Sequence, residues 1–154
     1  PGLRFFHQGQ FEGRTKRISP HLVRAPRAVA DKEIKKFYDR VLAVLRKPVM
    51  KGGEWQSLAC EPAWDGNGTW ASFVTHSWQA DGGKRTLVVV NYSAQDSQGY
   101  LKMPFPEIQG RPVRLKDLLG DACYDRDGTE LAGRGLYLDM PAWSYHIFHI
   151  EETP

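Results

Sequence analysis

The stretch from Thr69 to Tyr92 constrains the fold most, because it reads as two strands joined by a tight reversal: TWASFVTHSW, then QADGGK, then RTLVVVNY. Alternation puts Trp70, Ser72, Val74, His76 and Trp78 on one face and Ala71, Phe73, Thr75 and Ser77 on the other. Leu87 to Val90 form an unbroken apolar run rich in β-branched residues, so both strands are expected to be largely buried. Asp81, Gly82 and Gly83 tolerate the positive φ a short reversal needs. A lone hairpin is not stable in water, so other strands must cover it.

The rest of the chain supplies them. After Gly52 and Gly53 the apolar spacing turns strand-like, with turn signals at 65–68, 81–83, 104–110, 120, 127–128 and 133–135. Candidate strands span 54–60, 69–78, 85–92, 99–103, 112–116, 121–125, 136–140 and 143–150. No helical segments lie between them to carry parallel crossovers, which points to an antiparallel Greek-key β-sandwich. The sequence thus divides into residues 1–50 and an all-β domain at 51–154.

Before the sandwich, GLRFFH reads as a short strand, and residues 14–30 as a basic, proline-punctuated surface loop. Asp31 then caps a helix in which Ile34, Phe37, Tyr38, Val41, Leu42 and Leu45 form one apolar stripe. Pro48 ends it. A helix of this length is marginal alone, so the stripe, with Phe37, Val41 and Leu45 at its centre, is expected to face apolar partners.

With 154 residues, 41% of them hydrophobic and 25% charged, the chain can hold one good core plus an appendage. A net charge of +3, dispersed among 18 acidic residues, argues against a nucleic-acid partner. No apolar run approaches the roughly 20 residues of a membrane span. The chain opens at Pro1 rather than Met, as an excised piece would; the compartment is then left open, with the cytoplasm favoured. Cys60 and Cys123 lack metal spacing and are expected to be reduced, half-buried strand residues.

No constellation for catalysis, metal or cofactor binding stands out. Asp65-Asn67-Thr69 and Asp125-Asp127-Thr129 imitate the start of a calcium loop, but neither has the glutamate at the twelfth position, so both read as turns. His76, His146 and His149 fall in strands as structural imidazoles. Asp65, Asp81, Asp96, Asp125, Asp127, Glu151 and Glu152 lie in turns or the tail, where exposed and unpaired carboxylates are expected.

The run Gly2-Leu3-Arg4-Phe5-Phe6-His7-Gln8-Gly9-Gln10 resembles the eighth barrel strand of the alpha-amylase family of glycoside hydrolases, departing from it at Arg4 and His7. IKKFYDRVLAVLRK followed by GGEW looks like that family's last barrel helix and its exit into a C-terminal β domain. RTLVVVNYS looks like that domain's central strand, and LYLDMPAWSYHIFHI like its closing pair. The resemblance implies that the aspartate nucleophile, the glutamate acid/base and the second aspartate lie on barrel strands outside this sequence, leaving it without catalytic residues. It implies a structural role, with the missing catalytic barrel as partner, and a dimer through the exposed barrel remnant as a possible substitute. Gln10, Glu12 and Arg14 would sit at the rim of the substrate cleft. The class-different alternative is an α-glucan-binding module, for which Trp64 and Trp70, flanking the DGNG turn, are the best stacking pair.

Overall fold

The computed structural model describes residues 5–16, 19, 21, 23–24 and 27–153, and the chain divides into two compact units, Pro1–Arg46 and Lys47–Pro154. In the first, helix α1 spans Lys32–Leu45. The Asp31 carboxylate accepts the Glu33 and Ile34 N–H groups at 2.9 and 3.1 Å, satisfying two donors the helix start would leave orphaned. Along the stripe Phe37, Tyr38, Val41, Leu42 and Leu45 are half-buried, Val44 is 3% exposed and Ile34 is 38% exposed.

The loop before the helix folds onto its start. The Asp31 N–H donates to the Glu12 carbonyl at 2.8 Å, and the Phe11 ring lies 5.1 Å from that of Tyr38. Gly13 has φ 60° here, a left-handed backbone that favours glycine, and a Cβ would also press on the Ile34 side chain. Of the opening run read as a strand, residues 2–4 lie outside the described residues and Phe5–His7 are irregular. A single strand has no neighbour here with which to exchange ladder bonds. Arg17, Pro20 and Pro26 of the basic connection also lie outside the described residues, while Arg14, Lys16, Arg24 and Arg27 are exposed.

The second unit is mainly β, with antiparallel strands in two sheets. It begins with α2 (Pro48–Gly52), whose Val49 and Met50 are buried, so these residues belong with the sandwich and not with the preceding helix. The strands are β1 (Glu54–Ser57), β2 (Cys60–Glu61), β3 (Phe73–Ala80), β4 (Lys84–Asn91), β5 (Ser97–Leu101), β6 (Pro112–Asp117), β7 (Cys123–Asp127), β8 (Leu136–Met140) and β9 (Tyr145–Glu152), with α3 (Gly128–Gly133) between β7 and β8. One sheet has six strands in the order β1-β3-β4-β9-β6-β7, and the other three in the order β2-β5-β8.

The segment read as one strand at 54–60 is two. β1 pairs with β3 and β2 with β5, so the chain changes sheets at Leu58 and Ala59, whose neighbours differ accordingly: Leu58 N–H donates to Thr75 O and Ala59 O accepts from Lys102 N–H. Thr69–Ser72 is a 3-10 turn, because the Asn67 side chain takes the Trp70 N–H at 3.3 Å and holds that residue out of the ladder. The reversal at Asp81–Gly83 falls where the sequence places it.

Strand β4 is the most enclosed element, with Leu87 and Val89 wholly buried and Thr86 and Val88 on the opposite face also buried. β3 is less covered than expected. Thr75 and Ser77 face inward, while Val74 on the other side is 49% exposed. Between the sheets, Leu87, Val89, Phe148, Ile150, Val113 and Leu115 meet Leu101, Leu136, Leu138 and Met140 in one core. Cys60 joins this core beside Thr75, and burial raises its thiol pKa, whereas Cys123 on β7 is exposed; neither is half-buried as the sequence suggested. Both are free thiols.

Two buried polar side chains close the ends of β4. Arg85, 3% exposed, donates Nε to Glu107 at 2.8 Å and its terminal nitrogens to Glu152 at 3.3 Å. Asn91, wholly buried, donates its amide to the carbonyls of Gln95, Met140 and Pro141, and its side-chain oxygen accepts from Ser97 Oγ.

Asn91→Ala therefore removes a donor from three carbonyls and the acceptor of the Ser97 hydroxyl, although Pro141 O keeps its bonds from Ser144, and is expected to destabilise the sandwich by about 2 kcal/mol. The urea unfolding midpoint should fall with an unchanged slope, and a midpoint within error of the parent would contradict this role for Asn91.

Acid should act through three other groups. Arg114 holds the Asp125 carboxyl below its ordinary value of 3.8, the Glu130 and Thr129 N–H groups do the same for Asp127, and Arg111 and then Arg85 hold Glu152 below 4.5. Each depressed carboxylate contributes stability that is complete above these ordinary values and is lost as pH falls from them through the lower folded values. The melting temperature should therefore drop below about pH 4.5, and Asp127→Asn should flatten that acid limb.

Candidate functional site

The residues singled out from the sequence occupy different settings. Gln10 is half-buried, and its amide donates to the Tyr38 hydroxyl at 2.8 Å while its side-chain oxygen accepts from the His7 N–H. Glu12 and Arg14 line a concavity of about 300 Å³ with Phe6, His7 and Phe11. The Arg14 N–H donates to Gly9 O, which anchors the exposed guanidinium stem over the turn. The structure thus brings Glu12 and Arg14 to one hollow, while Gln10 braces the helix behind it.

Trp64 and Trp70 differ in exposure. Trp64 is 55% exposed at the 64–67 turn, where its carbonyl accepts the Asn67 N–H. Trp70 is half-buried and packs against the core, with its Cβ so close to Gly99 that a methyl there would lie 3.0 Å away.

The most developed polar site is one the sequence did not reveal. Asp117 ends β6 with its side chain 5% exposed; Oδ1 accepts the Leu119 and Ile147 N–H groups at 3.1 and 3.2 Å, and Oδ2 lies 2.8 Å from His146 Nδ1. The imidazole stacks on Phe148 at 4.8 Å. Both rings line a cavity of about 190 Å³ with Tyr124, Arg126, Tyr137 and Asp139. The Arg126 guanidinium lies 5.2 Å from the Tyr124 ring centre, and Asp139 accepts from Gln98 Nε2 at 2.9 Å.

A carboxylate on Nδ1 orients an imidazole and leaves Nε2 to accept or donate a proton. The lining carries one carboxylate, Asp139. The site can orient a small polar molecule against aromatic faces. One signal was present in the sequence: alternation along PVRLKD puts Asp117 on the inward face with Val113 and Leu115, and an inward acid requires partners.

Several carboxylates expected to be unpaired are paired. Asp125 meets Arg114 at 2.7 Å, Asp127 caps α3 through the Thr129 and Glu130 N–H groups, and Glu152 belongs to β9 and contacts Arg111 and Arg85. Strand pairing accounts for the first of these: β6 and β7 set Arg114 directly opposite Asp125. His149 Nδ1 lies 3.2 Å from Arg85 O, a structural contact of the kind expected, and His76 sits between the rings of Trp55 and Trp78, where burial lowers its pKa. Among the described residues no group of three or more His, Cys, Asp or Glu side chains could hold a metal ion. No helix among them is long and apolar enough to cross a membrane.

Comparison of the chain with models of known protein families and with curated proteins gave no match.

Removing the buried acid tests its role. Asp117→Ala leaves two backbone N–H groups and an imidazole nitrogen without their acceptor, so thermal unfolding should show a loss of about 3 kcal/mol. A variant as stable as the parent would show that the Asp117–His146 pair does not hold β6 and β9.

Proposed function

We propose that this chain is the C-terminal part of an alpha-amylase-like glycoside hydrolase and that its sandwich is a non-catalytic accessory domain, stabilising a barrel that hydrolyses or transfers α-glucosidic bonds. The observation that carries this reading is the outer face of the six-stranded sheet. The register places Trp55, Trp78, His76, Val74, Val90, Tyr145 and Ile147 on the side opposite Leu87 and Val89, beside the already covered Thr86 and Val88 and the polar Ser57 and His149. Trp55, Val74 and Tyr145 are 39%, 49% and 39% exposed there. An antiparallel sheet that meets only water on one face carries polar residues there, so an aromatic and aliphatic face suits docking against a larger body.

The first unit supports the same reading. Among its described residues only Val44 is a buried hydrophobic, while Phe5 and Phe6 are 75% and 38% exposed. A last β/α unit separated from the rest of a barrel would leave its apolar surface in this state. The order of elements also fits: α1, the exit through Gly52 and Gly53, then antiparallel strands. The exposure of Trp64 favours a second reading, an α-glucan-binding module.

Two measurements test the proposal. The chain alone should release no chromophore from a chromogenic maltooligosaccharide; turnover that copurifies with it and is lost on mutating one of its own carboxylates would overturn the non-catalytic assignment. In the polypeptide extended by the coding sequence upstream of Pro1, Val74→Asp should lower the melting temperature of the whole enzyme while changing the isolated chain by no more than about 0.5 kcal/mol. An extension that encodes no barrel, or an equal loss in both forms, would contradict docking through this face.

A further inference from the structure

Trp143 is the one non-glycine residue with a positive φ among those described, at 56°. A bulky side chain in the left-handed region is an outlier that the surrounding structure must impose. Burial does not explain the choice of residue, because Trp143 is 58% exposed. Beside it Tyr92 is 70% exposed, with ring centres 5.5 Å apart and planes at 88°. Two large aromatic side chains are thus held out in solvent as a perpendicular corner.

The corner stands on a rigid base. Trp143 N–H donates to Ser93 O at 3.0 Å, Tyr92 N–H to Ser72 O at 2.9 Å, and Ser144 Oγ to Pro141 O at 2.7 Å. Beneath them the buried Asn91 amide binds the Pro141 and Met140 carbonyls. Asp96, an exposed residue, accepts through Oδ1, at 3.2 Å, the N–H of Ala142, next to Trp143 in the same turn.

We infer that Tyr92, Trp143 and Asp96 form a carbohydrate-binding site that stacks one pyranose ring on the indole and takes its hydroxyls on the carboxylate. A sugar ring has an apolar C–H face and an equatorial rim of hydroxyl groups, so it fits a flat exposed ring flanked by a fixed acceptor. The residues close to Tyr92 in the chain, Ser93, Gln95 and Asp96, are polar, whereas a protein hot spot lies at the centre of a wider face that excludes water. Because the backbone is fixed beforehand, little ordering entropy opposes binding. The choice of an α-glucan as ligand rests on the function proposed above; the site itself does not.

Intrinsic tryptophan fluorescence and calorimetric titration of the full chain with maltoheptaose, and with cellohexaose as the β-linked control, test this. Saturable binding of maltoheptaose is expected, weakened about tenfold or more by Trp143→Gly and by Tyr92→Ala and unchanged by Trp64→Ala. Glycine suits the left-handed backbone, so Trp143→Gly should melt no lower than the parent, separating loss of the ring from loss of fold. Binding of cellohexaose alone, lost in Trp143→Gly, would keep the site and reject the α-glucan reading of the parent enzyme. No saturable binding of either sugar, or binding that survives Trp143→Gly, would overturn the proposal; so would capture of a protein partner through Trp143 without sugar binding.

Discussion

Everything in the sandwich depends on the two-sided burial of β4. Leu87 and Val89 fill the space between the sheets, while Thr86 and Val88 are covered on the other side. A strand enclosed on both faces must bond to neighbours along both edges, and β3 and β9 do so in register over most of its length. Arg85 and Asn91 fix its two ends. Arg85 draws in Glu107 from the 106–108 turn and Glu152 from β9, and Asn91 collects carbonyls from the 95 turn and from Met140 and Pro141. The apolar middle supplies the driving force, and the polar ends set which loops close over it.

Polar groups inside this domain are consequently scaffolding. Asp117 gathers two backbone N–H groups and an imidazole, joining the end of β6 to the start of β9. Glu152 is shared by Arg85 and Arg111. Groups open to a partner lie elsewhere: on the outer face of the six-stranded sheet, at the Glu12 and Arg14 hollow, and at the Tyr92–Trp143 corner. That separation suits the accessory role proposed above, with a fixed interior and a surface free to meet a partner.

The sequence disclosed the sheets well because strand alternation and turn residues are local signals. The reversal at Asp81–Gly83, the closing strand and the cap at Asp31 could all be read directly. What escaped was non-local. The change of sheet at Leu58–Ala59 depends on Thr75 and Lys102, distant in the chain. Asp125 looked like a turn residue until β6 set Arg114 opposite it, and Asp117 gave only the hint of an acid on an inward face. Trp143 lies in a turn whose left-handed backbone follows from hydrogen bonds to Ser93 and Pro141, and no residue pattern encodes that.

The proposed reading requires Lys47–Pro154 to be a unit that folds on β4 and Pro1–Arg46 to be a separate, less stable one. Native-state hydrogen exchange tests it most directly. Amides of Leu87 to Val90 should exchange only with global unfolding, while those of Lys32 to Leu45 should exchange through openings that cost far less and respond little to denaturant. Equal protection of the helix and β4, lost together at one denaturant concentration, would show a single cooperative unit and contradict the account.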